Sequence, residues 1–169
     1  MIPMQKDLFL IFAILGLMCL IVQTSKVAKK WNHRIYDYVL ALTSFFYICG
    51  VVYFTALRGP RVGLTGVNCD LPLPFLKAIQ TGDFGVVAYR SLLNILLFVP
   101  SGYLLPQVKR IAFWKTILAG FTFSLLIETS QLVFQFGVFQ LDDLIKNSIG
   151  AGLGYLLYIA LNWNMNNDK

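Results

Sequence analysis

The chain has 169 residues and a net charge of +6, with 57% hydrophobic and 13% charged side chains. A typical globular domain carries about 25% charged residues, so this chain has too few to cover the surface of a soluble protein. Its mean hydropathy of +0.69 supports the same conclusion. These values argue against a soluble enzyme, a disordered tail or a collagen-like chain, and they predict an integral membrane protein.

Five apolar runs are candidates for transmembrane helices, which need about 17–25 mostly apolar residues. They cover residues 8–22, 38–57, 92–106, 116–134 and 149–163. The first run could be a signal peptide, but no small-residue cleavage site follows it, so we interpret it as a retained span. Pro100 is expected to kink the third span because proline lacks a backbone N–H donor. We therefore predict an all-α integral membrane protein with about five transmembrane helices in a single domain, residues 1–169.

The connections between the runs predict the orientation of the chain in the membrane. Basic residues dominate the segments after the first and third runs, at Lys26, Lys29, Lys30, Arg34, Lys109, Arg110 and Lys115. The positive-inside rule places both segments in the cytoplasm, which leaves the N-terminus outside and the C-terminus inside. Basic residues in these places suit anionic lipid headgroups, and we expect no nucleic-acid partner. One long loop rich in Gly and Pro, residues 58–90, joins the second and third spans, and a short interfacial helix is expected over 75–80.

Polar side chains inside the apolar runs are the most informative residues, because an ionisable group in a bilayer is costly to bury. Glu128 lies within the fourth run, with Ser124 one turn before it and Gln131 one turn after it on the same helix face. These groups could simply join neighbouring helices through hydrogen bonds. The carboxyl group of Glu128 favours a functional site.

Other polar residues flank the third and fifth runs. Asn94 follows Arg90 by four residues, so the two side chains can meet on one helix face. Asp143 and Asn147 share a face in the approach to the fifth run, whereas Asp142 is explained by the stabilisation of acidic residues near a helix N-terminus. The three cysteines and the single histidine lack metal-ligand spacing. We therefore expect neither a metal nor a cofactor.

The number of spans brings these polar residues to one face of the membrane. With five spans, the loops after the second and fourth spans lie on the same side, next to the half of the fourth span that carries Glu128. Acidic, amide and arginine groups around a mostly apolar cavity are typical of a site for a polar headgroup or an anionic amphiphile. Glu128 and Asp143 are the candidates if the site is catalytic. The candidate binding residues are Arg58, Arg90, Asn94, Glu128, Gln131, Asp142, Asp143 and Asn147.

Three short motifs in the second half of the chain resemble those of VanZ-like membrane proteins. Residues 94–102 match N-x-x-x-F-x-P-x-G, residues 128–131 match E-x-x-Q, and residues 143–150 match D-x-x-x-N-x-x-G. A further glycine of the third motif corresponds to Gly154. No single motif is specific, but the ordered set resembles the family over residues 90–158.

The resemblance is looser upstream and incomplete before the third motif. Arg58 and residues 68–75 are similar to an arginine and a loop of the family. Many members carry an arginine and an aspartate at positions where this chain has Gly137 and Gln140. A role of the family that needs this pair of opposite charges is therefore not expected in this chain, unless Asp142 replaces the missing aspartate.

The resemblance implies a multi-pass membrane protein of the bacterial cell envelope. The family is named for a protein that raises resistance to the glycopeptide teicoplanin, which implies a role in susceptibility to lipoglycopeptides. The implied partners are membrane lipids, a lipid-linked cell-wall precursor or the lipoglycopeptide itself. The family name supplies no reaction.

Three mechanisms are compatible with these residues. The protein could be a non-enzymatic envelope factor that binds a lipid headgroup or a lipophilic antibiotic at the outer face, which is the mechanism we favour. It could instead be an intramembrane enzyme with Glu128 as general acid or base, although no activated nucleophile is evident. A small proton-linked transporter would use Glu128 as its proton site, but the chain shows no inverted repeat.

Overall fold

The computed structural model describes residues 33–56, 66–69, 80, 82, 84–108, 111–135 and 137–166. Four helices account for most of these residues: α1 His33–Ala56, α2 Phe84–Val108, α3 Phe113–Val133 and α4 Leu141–Asn166. Two short strands accompany them, β1 Gly66–Asn68 and β2 Val138–Gln140. The predicted first span, Arg58, and residues 75–79 of the predicted interfacial helix lie outside the described residues.

Each of the four helices contains a segment long and apolar enough to cross a membrane. These segments cover residues 34–53, 84–107, 113–133 and 141–162. At about 1.5 Å per residue they match a hydrocarbon core about 30 Å thick. Large apolar side chains lie on the outside of the bundle, as in Trp114, which is 75% exposed. This arrangement confirms the predicted all-helical membrane class.

All four helices begin earlier than the apolar runs predict, and the difference is largest for α2 and α4. The predicted runs start at residues 92 and 149, whereas α2 begins at Phe84 and α4 at Leu141. The first turn of α4 contains Asp142 and Asp143, and the second turn of α2 contains Arg90 and Ser91. These residues lower the local hydropathy and so hide the helix starts. α2 remains helical through Pro100. Three residues before Pro100, the carbonyl oxygen of Leu97 accepts a hydrogen bond from the Tyr47 hydroxyl of α1 at 2.5 Å.

Close packing between α2 and α4 fixes the centre of the bundle. Gly150, Gly152 and Gly154 predict close helix packing. The structure confirms close backbone contact at Gly150 and Gly154, whereas Gly152 faces only side chains of Ile117 and Phe113. A Cβ atom at position 150 would lie 2.2 Å from the carbonyl oxygen of Ile95, and one at position 154 would lie 2.0 Å from that of Val99. The two helix backbones therefore touch along this seam, where any larger residue would force them apart.

The two strands join loops at one end of the bundle. The backbone reverses after α3 at Gln135, which adopts a left-handed conformation with φ 57°, and β2 follows and leads directly into α4. β1, from the connection between α1 and α2, pairs in parallel with β2, so that Asn68 lies opposite Gln140. The sequence analysis did not predict this strand pair, because three-residue strands are too short to show an alternating pattern.

The glycine seam generates a stability prediction. We expect Gly150→Ala to lower the free energy of unfolding by about 1–3 kcal/mol, since the added methyl group overlaps the backbone of α2. Gly152→Ala is the matched control, because a Cβ atom there would meet only side-chain atoms of Ile117 and Phe113 at 3.6 Å or more. Equilibrium unfolding in mixed micelles measures both variants, and equal losses would contradict the seam.

Candidate functional site

Side-chain hydrogen bonds join α2, α3 and α4 at the end of the bundle where α2 begins, α3 ends and α4 begins. The amide nitrogen of Asn94 donates to Oδ1 of Asp143 at 2.7 Å, across 49 residues of chain. The amide nitrogen of Asn147 donates to the Ser124 hydroxyl oxygen at 2.8 Å. Together with Glu128, these residues form what we call the amide–carboxylate cluster: Asn94, Ser124, Glu128, Asp143 and Asn147.

Glu128 is the buried carboxyl group of the cluster. Glu128 is only 4% exposed, and its Oε2 atom accepts a hydrogen bond from the backbone N–H of Gln140 at 2.8 Å. That N–H belongs to the last residue of β2, immediately before α4 begins. The strand therefore supplies a donor to a group that would be costly to bury without one.

The sequence around α4 explains why its polar residues separate onto two sides. Asp143 and Asn147 are four residues apart, share one face, and reach α2 and α3 respectively. Asp142 instead forms an ion pair with Lys146 one turn further on. Both acids lie in the first turn of α4, where the helix dipole favours negative charge.

The structure draws some of the predicted site residues together and leaves others apart. Asn94, Glu128, Asp143 and Asn147 meet in the cluster, where Glu128 accepts a hydrogen bond from the backbone N–H of Gln140. Arg90 is exposed, and among the described residues it forms no ion pair with either carboxylate. Asp142 is committed to Lys146, and Arg58 lies outside the described residues.

Two positions that depart from the family pattern lie beside the cluster. Gly137 is buried, and a Cβ atom there would lie 3.4 Å from Oε1 of Gln131. Gln140 contacts Glu128 through its backbone, so the contact does not depend on which side chain occupies this position. Sequence reasoning missed the role of Gln140, because a backbone donor leaves no signature in the residue type.

Chemically, the cluster offers oxygen acceptors in a low-dielectric setting, where hydrogen bonds to a polar ligand are strong. Within the described residues, no group of three or more His, Cys, Asp or Glu side chains is placed to hold a metal ion. Ser124 is the hydroxyl group of the cluster, and its oxygen accepts from Asn147 rather than contacting a general base. The arrangement can therefore accept hydrogen bonds from a polar ligand.

Two comparisons with known proteins indicate the same family. A model of the VanZ/LLP1 family matches residues 9–162, a range that includes the whole cluster. Protein VanZ of Enterococcus faecium is 35% identical over 77 residues, which are 45% of this chain and 48% of that protein. The chain thus spans about half the length of the curated relative it matches. No solved structure matches the chain.

The bond between Glu128 and Gln140 predicts different effects for two substitutions. Glu128→Gln retains an oxygen acceptor, so its free energy of unfolding should stay close to that of the unchanged protein. Glu128→Leu removes the acceptor of the partly buried Gln140 N–H and should lower that free energy by about 1–3 kcal/mol. Equilibrium unfolding in mixed micelles distinguishes the two Glu128 variants. Thr122→Val, on the exposed side of α3, is the control. Equal loss in both Glu128 variants would show that the charge, not the hydrogen bond, stabilises the site.

Proposed function

This chain belongs to the VanZ/LLP1 family, and we propose that it is a multi-pass bacterial envelope protein that lowers susceptibility to teicoplanin and related lipoglycopeptides. The observation that carries the proposal is the amide–carboxylate cluster, which holds a carboxyl group at 4% exposure inside a membrane bundle. Ionisable groups at such positions usually mark functional sites. The teicoplanin phenotype comes from the family resemblance and from the similarity to Protein VanZ.

In this proposal the protein acts by binding rather than by catalysis. The partner is a lipid headgroup, a lipid-linked cell-wall precursor or the lipoglycopeptide itself. All three combine an apolar tail with a polar head, which suits a polar cluster near one end of an apolar bundle. Binding at this cluster would change which lipids or cell-wall precursors are accessible to the drug at the membrane surface, or would sequester the drug itself.

The proposed topology has five spans, with the N-terminus outside and the C-terminus in the cytoplasm. The described α1 to α4 are then the second to fifth spans, and the apolar run at residues 8–22 is the first. The connections after α1 and after α3 lie outside in this topology. This places the amide–carboxylate cluster in the outer half of the membrane, where lipoglycopeptides act.

An intramembrane enzyme that modifies a lipid-linked substrate is the second candidate. The observation in its favour is that Glu128 is both buried and oriented by a backbone donor, as a general acid or base would need to be. A deletion strain that accumulates a lipid-linked precursor would favour this enzyme over a binding protein. Proton-coupled uptake by proteoliposomes would instead indicate a transporter.

The proposal predicts a difference between two related drugs. Teicoplanin carries an acyl chain and vancomycin does not, so a protein acting at the membrane surface should affect teicoplanin more. We expect overexpression to raise the inhibitory concentration of teicoplanin more than that of vancomycin. Glu128→Gln and Asp143→Asn should each remove this difference without lowering the amount of protein, because they change charge with little change in shape.

The matched control is Asp37→Asn, the same chemical change on an exposed residue of α1. It should retain the difference between the two drugs. Equal shifts for teicoplanin and vancomycin, or full activity of the Glu128→Gln/Asp143→Asn double variant, would contradict the proposed function.

A further inference from the structure

Both asparagines of the amide–carboxylate cluster use their amide nitrogens within the protein. Asn94 donates to Asp143, and Asn147 donates to Ser124. An amide nitrogen carries two N–H donors, and each of these bonds uses one of them. The amide oxygen is the acceptor of the side chain, so its surroundings decide whether it can receive a hydrogen bond from a ligand.

The amide oxygen of Asn147 has no hydrogen-bond partner in the part of the chain that the structure describes. The atom is buried, and the residue as a whole is only 6% exposed. A buried acceptor without a donor carries a desolvation penalty, which is most severe where the surroundings are lipid. A ligand that donates to this oxygen would remove the penalty.

A second buried group without a partner in the described residues lies on α2, three residues before Asn94. The Ser91 hydroxyl is buried and has no hydrogen bond to the described residues. Ser91 precedes Asn94 by three residues and so lies on the same side of α2. A hydroxyl group can accept as well as donate, which makes Ser91 a second acceptor for a donor-rich ligand.

The charges of the described residues agree with a ligand that donates. Glu128 and Asp143 add carboxyl oxygens to the cluster. The basic residues nearest in sequence do not join it, because Arg90 is exposed and Lys146 pairs with Asp142.

We propose that the amide–carboxylate cluster binds a headgroup that carries ammonium or hydroxyl hydrogens, one of which is donated to the amide oxygen of Asn147. The inference rests on the proposed function as a binding protein and names the chemical class of its ligand. The headgroup's N–H or O–H groups provide the specificity.

Two pairs of phospholipids test this inference, each pair matched in charge and different in hydrogen-bond donors. Phosphatidylethanolamine is compared with phosphatidylcholine, and phosphatidylglycerol with phosphatidylmethanol. Each lipid is titrated into the full-length protein and bound lipid is counted by native mass spectrometry. We expect the donor-bearing member to bind about five- to tenfold more tightly in at least one pair, the range for one hydrogen bond to a buried acceptor. A preference in the first pair indicates an ammonium group, and one in the second indicates a hydroxyl group.

Asn147→Leu should abolish this preference by removing the acceptor. Asn162→Leu is the matched control on the same helix, because Asn162 bonds only to the carbonyl oxygen of Tyr158 far from the cluster. If Asn147→Leu does not fold, Ser91→Ala should still weaken the preference for the donor-bearing lipid. The comparison of lipids within each pair uses the unchanged protein and so does not depend on any variant.

Equal binding within both lipid pairs would overturn the inference, as would a preference that Asn147→Leu retains. The drug experiment fails independently of this one. A preference for donor-bearing lipids without any teicoplanin effect would support the ligand class and contradict the proposed drug phenotype. A teicoplanin effect without a preference for donor-bearing lipids would support the phenotype and contradict the ligand class.

Discussion

A polar group buried among lipid-facing helices must find a hydrogen-bond partner inside the protein, because the hydrocarbon around it offers none. This constraint explains how α2, α3 and α4 meet at their shared end. Asn94 reaches Asp143, Asn147 reaches Ser124, and Glu128 takes the N–H of Gln140. Each bond crosses between elements, so the cluster also specifies which helices are neighbours and in what register.

The glycine seam between α2 and α4 makes these contacts possible. Gly150 places the α4 backbone against the carbonyl oxygen of Ile95, the residue that follows Asn94. A short side chain such as asparagine can bridge two helices only when their backbones are this close. The seam therefore supports the cluster by holding α2 and α4 close together. The strand pair completes the cluster, because β2 provides the backbone N–H that donates to Glu128.

Much of the fold could be predicted from the sequence, because long apolar runs have few alternatives to spanning a membrane. The polar residues that matter were also visible, since Glu128 and Asn94 stand out in an apolar context. Their partners were not visible. The bond from Asn94 to Asp143 joins residues 49 positions apart, and the donor to Glu128 is a backbone group. The helix starts were predicted too late for a related reason: Arg90 and Ser91 in α2, and Asp142 and Asp143 in α4, lower the hydropathy near the start of each helix.

The central claim is that residues from separate helices form one coupled unit, and a double-mutant cycle tests it most directly. Asn94→Ala, Asp143→Ala and the double variant are unfolded in mixed micelles, and the coupling free energy between the two positions is calculated. We predict a coupling of about 1–3 kcal/mol, as for a hydrogen bond to a charged group in a buried setting. Additive losses, with a coupling below about 0.5 kcal/mol, would mean that the two side chains do not act together and would contradict the account.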